Sequence, residues 1–98
     1  MDVYYLYRGE MFVWDGLKAI ENRAKHGMGF EPACEVFFDR LSQYFDATVD
    51  EEYRMAVLRM NASGGLCFVV HVQRDADTIR IVSARPATSH ERREYEDS

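Results

Sequence analysis

The sequence predicts a small α+β domain. Two early segments carry helical periodicity between recognisable caps. The pattern then changes to alternation with period two across several short runs, and a third helical segment closes the chain. The expected order is β-α-α-β-β-β-α, with an antiparallel sheet packed against helices.

Residues Tyr4 to Trp14 are rich in aromatics and are interrupted at Arg8-Gly9-Glu10. They read as one strand or as two short ones with a kink. Residues 1–11 can also be read as a flexible, sticky N-terminal extension of a single domain spanning 1–98. Asp15 is a good N-cap and Gly27 a good C-cap, so the first helix runs from about Gly16 to His26. Leu17, Ile20 and Ala24 fall on one face of it, and Lys18, Asn22 and Lys25 on another. A second helix is expected from Phe30 to about Arg40, with Gly29 as N-cap and Pro32 in the first turn, where its missing N–H has no partner anyway.

Gln43 to Val49 reads as a weak strand or loop. Glu52 to Met60 alternates. Asn61-Ala62-Ser63-Gly64-Gly65 is a turn, and Leu66 to Arg74 is nearly continuous apolar, as for a central strand covered on both faces. Asp75-Ala76-Asp77 turns the chain into a strand from Thr78 to Arg85, which Pro86 stops. Thr88 or Ser89 caps the last helix; Ser89 is followed three residues later by Arg92, where a capping box has Glu. At period two, Arg85 shares a face with Ile79, Ile81 and Ser83, and Arg80 lies on the opposite face.

The 98 residues are 47% hydrophobic and 13% aromatic, enough for one core and too apolar for disorder. Cys34 and Cys67 sit in apolar runs, as buried reduced thiols do. No Cys or His pair has metal-ligand spacing, and no cofactor motif is present. There is no signal peptide and no long apolar run, so a soluble cytoplasmic protein without membrane contact is expected. The net charge of −5 excludes a broadly basic nucleic-acid binder. Acids gather at Asp46, Asp50, Glu51 and Glu52, a patch suited to a basic partner segment. Any nucleic-acid site must be local.

Two local cationic clusters exist. Lys25-His26-Gly27 ends the first helix, and Arg80 to Arg85 is followed by Glu91-Arg92-Arg93-Glu94-Tyr95. Cations that hold a phosphate, with a group that moves a proton near neutral pH, are the minimum for cleaving a phosphodiester. Each residue also has a structural reading. His26 can interact with the helix dipole, Lys18 and Lys25 can be solvated, and Asn22 can bond neighbouring backbone. Arg85 can pair with Glu91 or Glu52, Arg54 with the acidic patch, and Glu91 with Tyr95 as surface helix partners. His71, in mid-strand, reads as a packed core or interface residue, Trp14 and Phe12 as core, and His90 as exposed.

Taken together, these stretches are similar to the BrnT family of bacterial toxins. The family pattern F-x-W-D-x-x-K-x-x-x-N-x-x-K-H-G-x-x-F-x-x-A-x-x-V-F-x-D is met by Phe12, Trp14, Asp15, Lys18, Asn22, Lys25, His26, Gly27, Phe30, Ala33, Val36, Phe37 and Asp39. An E-x-R strand start is met by Glu52 and Arg54. The strand ending R-I-I-S-A-R is met by Arg80 to Arg85 with Val82 for the second Ile, and the closing A-x-x-x-E-R-x-x-Y by Ala87, Glu91, Arg92 and Tyr95. Arg59 stands where members often have Gly, and Pro86 where a second basic residue is common.

The resemblance implies a RelE-like fold and a type II toxin that cleaves RNA and inhibits translation. It also implies neutralisation by a BrnA-type ribbon-helix-helix antitoxin in a heterotetramer, with operator DNA bound only through that partner. The residues expected to act are His26, Arg54, Arg85 and Glu91 in catalysis, and Lys25, Lys18, Arg92 and Tyr95 on RNA phosphate, with no metal and no cofactor. The competing expectation is a weak or inactive binding module that acts with the antitoxin in operon autorepression.

Overall fold

The computed structural model describes residues 1–48, 55–60, 65–75 and 77–96. Strands β1 (Asp2–Tyr7) and β2 (Glu10–Asp15) precede helix α1 (Gly16–His26). A single helical turn, α2 (Phe30–Ala33), runs into a 3-10 helix at Cys34–Phe38. Then come β3 (Gln43–Asp46), β4 (Met55–Met60), β5 (Leu66–Asp75), β6 (Thr78–Pro86) and helix α3 (Ser89–Glu96). The fold is α+β, as expected. The sheet order is β1-β2-β6-β5-β4-β3, and the last four strands of the chain form an antiparallel meander. The sheet is mixed, because β2 runs parallel to β6. The helical stretch after β2 carries the chain across the sheet, and the meander returns until its last strand meets β2.

The start of the chain is a hairpin and not a loose tail. Arg8 and Gly9, with φ of 53° and 80°, form the two-residue loop between the paired Tyr7 and Glu10. Positive φ at both positions is the turn that matches the twist of a hairpin. Tyr5 leans on Trp14 and Tyr7 on Phe38, so one face of β1 joins the core.

Helix α1 begins and ends where its caps place it. Asp15 Oδ2 accepts from the Lys18 N–H at 3.0 Å, and the Gly27 N–H, at φ 72°, donates to the Arg23 carbonyl at 2.8 Å. Its facing is the reverse of what its apolar residues suggest. Leu17 and Ile20 are each 68% exposed, whereas Asn22 is buried. The cause is a gap in the sheet. β2 pairs with β6 only from Thr78 to Arg80. The Ala87 N–H donates to the Leu66 carbonyl at 3.1 Å, which sets the phase of the β5–β6 ladder. In that phase Val69 and Ala84 are a non-bonded pair, and the N–H and C=O of Ala84 point away from β5. Asn22 takes both: its Nδ2 donates to the Ala84 carbonyl at 2.7 Å, and its Oδ1 accepts from the Ala84 N–H at 3.1 Å. Nδ2 also donates to the Met28 carbonyl at 3.0 Å. A side-chain amide thus continues the ladder where β2 has stopped.

The expected helix from Phe30 to Arg40 is shorter and tighter, ending at Phe38 in 3-10 form. Bulky Val36, Phe37 and Phe38 follow one another there. Asp39 Oδ1 then accepts from the Leu41 N–H at 2.6 Å, a local turn that competes with further helix. The core lies between this segment and one face of the sheet: Phe12, Trp14, Phe30, Val36, Val57, Val69 and Ile81 are buried together. Cys34 and Cys67 are buried within it and form no disulfide, and burial pushes the Cys34 thiol up to about 12.

The amide bridge is directly testable. Asn22→Leu leaves the Ala84 N–H and C=O without partners, and unmatched buried groups cost about 1–3 kcal/mol each. Urea unfolding is expected to show a loss of about 2–4 kcal/mol, whereas Ile20→Ser on the exposed face stays within about 0.5 kcal/mol of the parent.

Candidate functional site

Period two does not hold along β6. His71 pairs with Ile81 and Val70 with Ser83, so Val82 is an extra residue, a bulge. Ala84 therefore faces the core with Ile79 and Ile81, and Arg85 turns to the other face opposite Phe68. This corrects the expectation that Arg85 shares a face with Ile79 and Ile81 and stands opposite Arg80. Arg80 pairs in register with Val72, two strand positions beyond Val70, so both arginines emerge on the outer face. Arg80 is engaged by Asp2 at 2.7 Å.

The Arg85 guanidinium lies over the Phe68 ring at 4.5 Å, and Phe68 is stacked with Phe45. Its Nη1 and Nη2 each donate to one Glu91 oxygen at 2.9 Å. Nη1 also donates to the Pro86 carbonyl at 3.2 Å. Of the five guanidinium N–H groups, Nε–H and one Nη2–H have no acceptor among the described residues. The pair holds Arg85 above its ordinary value, and it holds the Glu91 carboxyl below its own. Glu91 is therefore an anion and an acceptor at neutral pH, not a proton donor.

Glu91 has a second task. Its Oε1 accepts from the Thr88 N–H at 2.8 Å, and the Glu91 N–H donates to Thr88 Oγ1 at 3.2 Å. This is a capping box beginning at Thr88, one residue before the Ser89 frame that lacks it. The signal, Thr88-x-x-Glu91, is present in the sequence. The box fixes α3 against the end of β6, and one carboxylate serves helix cap and arginine together.

The other expected residues divide. His26 is half-buried in the last turn of α1, one turn beyond Asn22, and that amide ties the helix to Ala84 beside Arg85. No hydrogen bond or ion pair joins His26 to Arg85 among the described residues. Lys18 and Lys25 are exposed on α1. Arg92 is exposed and Tyr95 half-buried on α3. Arg54 lies outside the described residues, as do Asp50, Glu51 and Glu52 of the acidic patch. His90 is exposed and sits 2.9 Å from Glu94.

His71 is buried against Phe37, whose ring is 4.6 Å away, and against Tyr44. Its Nδ1 has no hydrogen-bond partner among the described residues, and burial pulls its pKa down to about 4. It is a neutral core residue. A hollow of about 500 Å³ is lined by Tyr7, Arg8, Glu35, Phe38, Asp39, Arg40 and Leu41. It lies at the hairpin end of the sheet, because Met11 pairs with Thr78 at the start of β6, whereas Arg85 is near that strand's other end.

The sequence model describing the ribonuclease toxin BrnT of type II toxin–antitoxin systems matches residues 14–91. The chain belongs to the BrnT ribonuclease toxin family. It is also similar in fold to the crystal structure of the Brucella abortus ribonuclease toxin BrnT, with a TM-score of 0.62 and 19% identity, over 78% of this chain and 94% of that one. No curated protein matches the sequence. Family membership brings an antitoxin partner with it. Among the described residues no helix is long and apolar enough to cross a membrane.

Two acid-side losses of stability are expected, with different owners. Between the ordinary histidine value of 6.5 and about 4, the unfolded chain binds a proton that folded His71 refuses. Stability then falls with pH across that window, by at most about 3 kcal/mol. Glu91, lowered by Arg85, contributes fully above the ordinary glutamate range and loses its contribution as pH falls through its lowered value. Urea midpoints from pH 7 to 3 are expected to lose the upper slope in His71→Phe and the lower slope in Glu91→Gln.

Proposed function

We propose that this BrnT family member is an endoribonuclease that acts in the cytoplasm without a metal, cleaves RNA and inhibits translation, and is neutralised by a BrnA-type ribbon-helix-helix antitoxin. The observation that carries the reading is the Arg85 centre, within the stretch of chain that the family model matches. A cation is held by an aromatic face and a carboxylate, with two N–H groups that no described residue takes and that suit a phosphate oxygen.

Attack of a ribose 2′-OH on the adjacent phosphorus requires three services: removal of the hydroxyl proton, neutralisation of the non-bridging oxygens, and protonation of the leaving 5′-oxygen. The phosphorus–5′-oxygen bond breaks as the 2′-oxygen bond forms, leaving a 2′,3′-cyclic phosphate. In this reading Arg85, with Arg54, receives the phosphate. His26 moves the proton, the service an imidazole most often supplies as general acid or base. Glu91 keeps Arg85 in place and charged, and supports catalysis through it. Lys18, Lys25, Arg92 and Tyr95 contact flanking backbone.

The antitoxin is expected as a BrnA-type dimer in a heterotetramer, which alone contacts operator DNA. The exposed Leu17 and Ile20, beside exposed Lys18, Arg23 and Lys25, suit an amphipathic partner segment bearing carboxylates. The bidentate Glu91 contact also favours a second reading, a weak or inactive module that binds the antitoxin and acts in operon autorepression, because it leaves Arg85 little net charge to offer.

RNA incubated with the purified chain in EDTA separates the two. Cleavage with cyclic phosphate ends is expected, falling by about 100-fold or more in His26→Ala and in Arg85→Ala. Unchanged cleavage in both variants refutes the site. No cleavage by the parent chain, with antitoxin binding intact, establishes the second reading.

A further inference from the structure

The edge formed by β1 lies before residue 14, where the family match begins. It is the outermost strand on its side of the sheet. The phase of its pairing is set by the Gly16 N–H, which donates to the Met1 carbonyl at 2.9 Å. Met1 and Gly16 are thus a bonded position, and Val3, Tyr5 and Tyr7 follow as bonded positions against β2. The N–H and C=O groups of Asp2, Tyr4 and Leu6 consequently point outward, away from β2.

The side chains along this edge are as open as the backbone. Tyr4 is 66% and Leu6 65% exposed, and Val3 is 39% exposed. From Val3 to Tyr7 there is no charge, no proline and no bulge, the devices that usually guard an edge strand. The opposite edge, β3, is guarded: it is only four residues long and ends in the exposed Asp46.

We propose that the chain pairs with a second copy of itself through β1, antiparallel about a two-fold axis at Tyr4. This register is the one that uses every outward group. Tyr4 meets Tyr4 of the second copy, Asp2 meets Leu6, and Leu6 meets Asp2, so each outward N–H and C=O finds a partner. The facing side chains are aromatic against aromatic and Asp2 against an aliphatic residue, with no like charges opposed. The Asp2 charge is already matched within its own chain by Arg80 at 2.7 Å. In a chain of net charge −5, a neutral edge is where two copies can approach with least repulsion. The contact is isologous and closes at two chains.

Sedimentation of the full chain from low to high micromolar concentration is expected to show a monomer–dimer equilibrium. Tyr4→Lys places two ammonium groups across the axis and is expected to shift dissociation to at least tenfold higher concentration; Tyr4 is exposed, so the fold tolerates it. Tyr4→Cys supplies a second measurement. Bonded antiparallel partners lie about 5.5 Å apart at Cα, within disulfide reach. Mild oxidation is expected to cross-link Tyr4→Cys chains. Leu6→Cys chains stay unlinked, because their thiols are offset by roughly 13 Å along the strands. Cys34 and Cys67 are buried and leave the readout clean. A chain that sediments as a monomer throughout, a dimer indifferent to Tyr4→Lys, or equal cross-linking at both positions would overturn the proposal.

Discussion

One side-chain amide carries the architecture around the candidate site. β2 leaves β6 after Arg80, and the second half of β6 would otherwise expose unpaired backbone on that side. Asn22 gives Ala84 both the acceptor and the donor that a neighbouring strand would give. A helix is thereby tied to the side of β6 by ladder-like hydrogen bonds, with Ala19 packed against the core. The consequence is visible on the far side of α1, where Leu17 and Ile20 stay in solvent. A helix docked through Asn22 leaves Leu17 and Ile20 for something else.

The same stretch of β6 decides the site. The bulge at Val82 reverses which side of the sheet each later residue faces, returning Ala84 to the core and sending Arg85 outward. Without it the arginine would enter the core among Val69 and Ile81, where an unpaired charge is very costly. With it, Arg85 finds an aromatic face in Phe68 and a carboxylate in Glu91. The carboxylate is itself fixed by capping α3. Strand end, helix start and cation are one hydrogen-bonded unit, so the guanidinium is held in a defined direction before any ligand arrives.

This pre-organisation has an electrostatic cost. An arginine already paired to a carboxylate presents an oriented pair of N–H groups and little net charge. In an acidic chain, the phosphate of the proposed function would be positioned by shape and by hydrogen bonds more than drawn in by long-range attraction. His26 belongs to a different element, linked to Arg85 through Asn22 and Ala84. The spacing between His26 and Arg85 therefore depends on the amide bridge.

Much was legible in the sequence because it depends on neighbours along the chain. The caps at Asp15 and Gly27, the strands β4 to β6, the core placement of Trp14, Phe12 and His71, and the family motifs are local patterns of a few residues. The Thr88–Glu91 box is equally local, and it decides between Thr88 and Ser89 as the cap in favour of Thr88. What tertiary structure alone decided is non-local. Which face of α1 turns inward was settled by an orphaned peptide group on a strand sixty-two positions away. Whether Arg85 faces core or solvent was settled by one extra residue in β6, which appears only when β6 is laid against β5. Whether the first residues form a strand or a tail was settled by their pairing with β2. Residue types and periodicity determine which elements form. How the elements meet depends on hydrogen-bond partners and register, which exist only once distant parts of the chain are side by side.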